Sequence, residues 1–107
     1  MIHNNAPIIE FSQKIIDSLL TADSKALATT GPKGLNVVPI STIRSVDGKI
    51  WLINYFFKKT LDNILAEPRI ALVAWKGFDG YQVQGTVEYI TSGPQFDDAK
   101  QWVAERL

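Results

Sequence analysis

The chain has 107 residues, 46% of them hydrophobic, which suits a single globular domain able to bury a core of its own. Eleven Lys and Arg balance eleven Asp and Glu, so no excess of positive charge favours nucleic acid. With no cysteine and a single histidine, His3, the sequence excludes disulfides, thiolate metal sites and cysteine nucleophiles, and argues against a His-based dyad or metal cluster.

Pro7 suits the first turn of a helix. Ile8, Phe11, Ile15, Ile16, Leu19 and Leu20 follow at helical spacing, which predicts a helix over 7–20. A short strand over 25–30 runs into Gly31-Pro32-Lys33-Gly34, a strong turn signal. Residues 35–44 are rich in β-branched side chains and predict one strand. Pro39 inside it has no N–H to give a ladder, so it marks an edge, a bulge or a break. Asp47-Gly48 is a hairpin dipeptide, and 49–55 should return as the partner strand. A short helix is expected over 60–66 with Thr60 as its N-cap, ended by Pro68. Strands over 69–76 and 81–91 follow, separated by Gly77-Phe78-Asp79-Gly80. In the last strand Tyr81, Val83, Gly85, Val87 and Tyr89 alternate with Gln82, Gln84, Thr86 and Glu88. A terminal helix over 94–107 would place Phe96, Val103 and Leu107 on one face. Tight turns cannot join parallel strands, so the expected class is mainly β, an antiparallel barrel-like sheet with flanking helices.

The segment richest in chemistry is 54–63. Lys58, Lys59 and Thr60 stand where a strand ends and a helix begins. A helix N-terminus offers free N–H groups and a positive dipole end, and two lysines and a hydroxyl complete the parts of a phosphate site. Two solvated lysines beside an ordinary N-cap have the same local sequence, so both readings stand at this point. Asp97-Asp98 reads as acidic residues in the first turn of a helix rather than a facing pair. Ser41-Thr42 has no base partner in view. Trp51, Trp75 and Trp102 are expected in the core. Phe56 and Phe57, with Trp75 and Phe78, give more aromatic surface near connections than one small core covers, which predicts a homodimer.

Taken in order, ALATTGPKGLNVVPIST, VDGKIWLINY, a Lys-Lys-Thr junction, an x-Pro-Arg strand start and a tail with G-x-x-x-x-x-x-x-G-P-x-F cover most of the chain. In this it resembles the flavin-binding split-barrel family related to pyridoxamine 5′-phosphate oxidase, in particular its small FMN-binding branch. The resemblance implies an antiparallel split β-barrel, a homodimer, and FMN in the groove between subunits. It implies that Lys58, Lys59 and Thr60 hold the phosphate. It also implies that Val37, Val38, Pro39, Ile40, Ser41 and Thr42 line the isoalloxazine with their backbone, with Leu52 and Ile53 as a second lining strand. Asn63 matches a polar position after the phosphate residues, and Gln82 or Gln84 matches a glutamine that reaches the flavin.

Three departures refine the expectation. Val37 stands where the oxidase has an arginine, and its late basic residues lie beyond this length, so oxidation of pyridoxamine phosphate itself is not expected. The sequence forms one flavin-binding domain, 1–107, and stops where relatives continue with another strand. Lys-Lys-Thr replaces the Arg-Lys of the oxidase and points to the small flavin-binding branch.

The leading expectation is therefore an FMN-dependent oxidoreductase with no catalytic side chain assigned. A non-catalytic FMN carrier or electron-transfer protein, a haem or deazaflavin binder on the same barrel, and a cofactor-free interaction domain are the alternatives, separated by the spectrum of the purified protein. No apolar run reaches the roughly 18 residues of a membrane span, and no basic signal region precedes one. The expected location is the cytoplasm.

Overall fold

The computed structural model of the chain describes residues 13–53 and 58–106. In chain order these form α1 (Gln13–Thr21), β1 (Ser24–Thr29), β2 (Asn36–Pro39), β3 (Ile43–Val46), β4 (Lys49–Leu52), α2 (Lys59–Ala66), β5 (Arg69–Lys76), β6 (Asp79–Thr86) and α3 (Pro94–Ala104). Every strand pair is antiparallel. One sheet runs β2-β1-β5-β6 and the other is the β3–β4 hairpin. The mainly-β architecture with flanking helices is as expected, and its chain path differs in instructive places.

The single strand expected over 35–44 is two strands in two different sheets. Ile40 N–H still donates to Lys25 O (3.0 Å), so β1 holds the segment up to that point. Ser41 and Thr42 then carry the chain across to the second sheet, where Thr42 O accepts from Ile53 N–H (3.3 Å). The Lys25–Ile40 bond also fixes the phase of the β1–β2 ladder. It makes Leu27–Val38 and Thr29–Asn36 the hydrogen-bonded pairs, so the backbone groups of Val37 and Pro39 point away from β1. Pro39 thus lies on a sheet edge where an N–H is not required.

The last strand begins two residues earlier than expected. Asp79 pairs with Lys76 across a two-residue loop, Gly77-Phe78, in which Gly77 has φ 60°. It ends at Thr86, after which Val87 N–H turns to Pro68 O (2.9 Å). The Asp47-Gly48 turn has φ 52° and 78°, the left-handed pair that a tight hairpin needs. The first helix spans Gln13–Thr21, with the earlier part of the expected 7–20 outside the described residues, as are Phe56, Phe57 and Leu107.

Leu27, Leu72 and Val83 lie on the inner face of the large sheet. Ile16 and Leu19 of α1, Ile64 of α2, and Ile43, Ile50 and Leu52 of the hairpin close one core over that face. Of the three tryptophans expected inside, Trp51 is buried and Trp102 half-buried. Trp75 is 41% exposed, because strand alternation puts it with Ala71 and Val73 on the outer face.

Candidate functional site

The β1–β2 turn closes with Gly34 N–H on Gly31 O (2.9 Å), and α2 locks it. Asn63 is fully buried. Its Oδ1 accepts from Lys33 N–H (2.9 Å), and its Nδ2 donates to Gly34 O (2.9 Å) and Thr29 Oγ1 (3.2 Å). Both amide hydrogens are engaged inside the protein. Gly31 approaches so closely that a methyl there would stand 3.0 Å from Asn63 Cα. Asn63, which the resemblance matched to a polar position after the phosphate residues, is buried and holds a turn against a helix.

Thr60 is not the expected N-cap. It is the second residue of α2 rather than its cap, it is 1% exposed, and its hydroxyl accepts from Asn36 Nδ2 (2.8 Å). The N-cap is Lys58, whose side chain cannot accept a hydrogen bond and makes no capping bond. Lys58 thus gives the first-turn N–H groups of α2 no side-chain cap, and the exposed Lys58 and Lys59 stand beside them. Asp62, the acid of that turn, lies 4.0 Å from Lys33 Nζ.

The Asn36–Thr60 bond ties this terminus to β2, and the Thr42–Ile53 bond ties the end of β2's extension to the chain after β4. The phosphate candidates and both lining segments are thus parts of one connected region. Within it Val37 (68% exposed) and Pro39 face outward, Val38 is half-buried, and Ile40 is buried. Ser41 is exposed and Thr42 partly so. Leu52 is buried and Ile53 half-buried.

Gln82 and Gln84 are both exposed and share a face, as period-two alternation requires. Two rows cross the outer face of the sheet: Val37–Ala28–Ala71–Gln84 and Pro39–Ala26–Val73–Gln82. The alanines leave the middle of this face low, and a hollow of about 320 Å³ there is bordered by Ala28, Leu35, Arg69, Ala71 and Gln84. Three interstrand spacings, roughly 14 Å, separate the glutamines from β2.

The sequence reading passed over Arg44. Its guanidinium sits between the rings of Trp51 (5.2 Å to the centroid) and Trp102 (5.4 Å), with Asp98 Oδ1 3.3 Å from Nη1. Half of this was available from the hairpin register about Asp47-Gly48, which sets Arg44 opposite Trp51. Asp98 accordingly serves an ion pair. Among the described residues no cluster of His, Asp and Glu is arranged to hold a metal. No described helix is long and apolar enough to cross a membrane.

Comparison with known proteins adds three findings. A family model described as pyridoxamine 5′-phosphate oxidase matches residues 11–107. The crystal structure of a tagged form of HupZ from Group A Streptococcus is similar to this chain with a TM-score of 0.78 and 26% identity, over 91% of this chain and 80% of that one. An uncharacterized protein of Methanocaldococcus jannaschii is 31% identical over 91 residues, which is 80% of this chain and 60% of that protein. The chain thus spans less than two-thirds of the length of that curated relative.

Proposed function

The chain belongs to the pyridoxamine 5′-phosphate oxidase family and has its split-barrel fold, and from that premise we propose that it binds FMN and acts as a flavin-dependent oxidoreductase. The observation that carries this reading is the N-terminus of α2, which has no side-chain cap and is flanked by Lys58 and Lys59. Helix N-terminal N–H groups, a positive dipole end and two ammonium groups together suit a phosphate dianion. Thr60 and Asn63 act behind them, one fixing α2 to β2 and the other fixing α2 to the turn.

The donor set also suits a flat, polar-edged ring along β2. Val37 N–H and C=O and Pro39 C=O lie on the open edge of the sheet, and the exposed side chain of Val37 supplies apolar surface beside them. When bound, FMN would supply the redox chemistry, while the chain contributes binding, orientation and exclusion of water. Val37 in place of the oxidase's arginine argues for a substrate other than pyridoxamine phosphate.

The same geometry favours a homodimer. A ring seated at β2 is too far from Gln82 and Gln84 of its own subunit, so a glutamine reaching it would come from a second copy. The low outer face with Val37, Val73 and Trp75 is a surface such a copy would cover.

Titration with FMN and with riboflavin tests the reading. FMN should bind with a flavin spectrum perturbed by the protein, and riboflavin, lacking the phosphate, should bind much more weakly. Equal affinity for the two would remove α2 from the site. A purified protein that takes up neither flavin, or that shows a haem spectrum, would overturn the proposal.

A further inference from the structure

Among the described helices, α3 adds nothing to the core. Ile16 and Leu19 of α1 and Ile64 of α2 belong to it, whereas Ala99 is the single buried residue of α3 and lies outside it. Phe96, Trp102 and Val103 are half-buried, and the remainder of the helix is exposed. The chain reaches α3 through residues 88–93, which form no helix or strand. That connection ends in Thr91, Ser92 and Gly93, all exposed. Gly93, the N-cap of α3, has φ 95°, and no atom beyond its chain neighbours stands within 4 Å of where a Cβ would be. A glycine in that conformation, with that much space, can rotate without displacing a packed neighbour.

What holds α3 down is a stack of alternating rings and cations. Arg44 sits between Trp51 (5.2 Å) and Trp102 (5.4 Å), and Arg106 lies over Trp102 at 3.6 Å. Arg44 and Trp51 face each other across the β3–β4 hairpin, so the barrel supplies one half of the stack and α3 with its last turn supplies the other. Asp98 of α3 adds an ion pair to Arg44 Nη1 at 3.3 Å. Yet Nη1 is buried and makes no hydrogen bond. Lifting α3 loses the Trp102 contact but returns that donor to water, so release costs less than breaking a saturated contact.

The helix is also one wall of a cleft of about 550 Å³. Trp102 and Arg106 stand on its side, and Leu20, Ser41, Thr42 and Ser45 stand on the side of the barrel. Because α3 belongs to neither sheet, its movement changes the width of the cleft without breaking a strand pair.

We propose that α3 is a hinged strap over the β2–β3 crossover. It releases as a unit while the barrel stays folded, turning about residues 91–93, and Arg44 is the latch that sets how often this happens. The strap controls access to the crossover wall, and it does so whatever molecule the chain binds.

The chain has no cysteine, so single thiols introduced into the full chain report opening through their reaction with an aromatic disulfide, followed by absorbance. Ala99→Cys places the thiol under α3, Ala74→Cys places it in the core of β5, and Gln95→Cys places it at an exposed position of α3. Ala99→Cys should react more slowly than Gln95→Cys, yet about a hundredfold or more faster than Ala74→Cys, and with little dependence on urea, since a sub-global opening exposes little surface. Asn63→Leu, which weakens the barrel and leaves α3 alone, should speed the reaction of Ala74→Cys only. Arg44→Lys keeps the charge but loses the planar stack; it should speed Ala99→Cys about three- to thirtyfold, the range of a cation–π contact. Trp102→Leu, which alters α3 and spares the hairpin, carries the same expectation if Arg44→Lys does not fold. Equal rates and equal urea dependence at Ala99→Cys and Ala74→Cys would mean that α3 leaves only with the whole fold, and would overturn the proposal. So would a reaction at Ala99→Cys as fast as at Gln95→Cys, or indifference of Ala99→Cys to both latch substitutions.

Discussion

On the inward side of α2, Thr60 and Asn63 are 1% and 0% exposed, and every hydrogen bond they make ends on the protein. At the open end of the same helix, Lys58 and Lys59 are exposed, and Lys58, the N-cap, makes no side-chain capping bond. These four polar residues, within six positions, thus divide into two kinds. One kind is saturated and holds the β1–β2 turn in place. The other is exposed at the helix end. Proximity in sequence says little about which is which: Lys59 and Asn63 stand one turn apart on the same side of α2, and only Asn63 is packed against the β1–β2 turn.

Substitutions can break this division or sharpen it. The largest effect should come from Asn63→Leu, which strands the Lys33 N–H, the Gly34 carbonyl and the Thr29 hydroxyl together. A loss of about 3 kcal/mol in urea unfolding is expected, and a loss under about 1 kcal/mol would mean the turn does not depend on Asn63. Lys59→Ala should do the opposite. FMN should weaken by about 1.5–3 kcal/mol, roughly 10- to 150-fold, with riboflavin affinity and unfolding midpoint unmoved; if riboflavin weakens equally, Lys59 is not at the phosphate. Thr60→Val removes one acceptor at nearly constant shape and should cost about 1 kcal/mol of stability, visible in the same denaturation experiment.

The smallest effect lies at the other end of α2. Glu67, its C-cap, accepts from Arg69 Nε (2.7 Å) and from Arg69 N–H (3.1 Å). The Arg69 side-chain bond, then its backbone N–H, hold the Glu67 carboxyl below its ordinary value. Because the folded-state value is the lower one, the stabilisation is complete above the ordinary glutamate range, about 4.3, and fades as pH falls through it. Glu67→Gln should therefore lie slightly below the parent in unfolding midpoint at neutral pH and converge with it in acid. The pair is exposed and screened by salt, so a difference that persists unchanged at low pH would assign the effect to something other than ionisation.

Much of the fold was legible because it rests on local chemistry. Asp47-Gly48, the Gly31 to Gly34 turn and the alternation of 69–76 each act over a few residues, and the β5 bounds match the expected strand. The lysine junction was legible for the same reason. What escaped was decided at a distance. The division of 35–44 depends on β1 releasing the chain after Ile40, and the roles of Thr60 and Asn63 depend on Asn36 and Thr29, residues of the neighbouring hairpin. Arg44 needs Trp102 from the far end of the sequence, which no short-range pattern supplies.

The order of strands in the large sheet has a consequence for how the protein is made. β1 is flanked by β2, its immediate successor, and by β5, so Leu27 must wait for Leu72. A growing chain can close the first hairpin early, but one side of β1 stays unpaired while the second hairpin and α2 are still being synthesised. Such an edge is a template for pairing with another chain. The hazard is timed: it ends when the eight residues of β5 emerge and dock. Translation slowed between the two would lower yield with no change in the stability of the finished protein, whereas faster delivery of β5 would raise it.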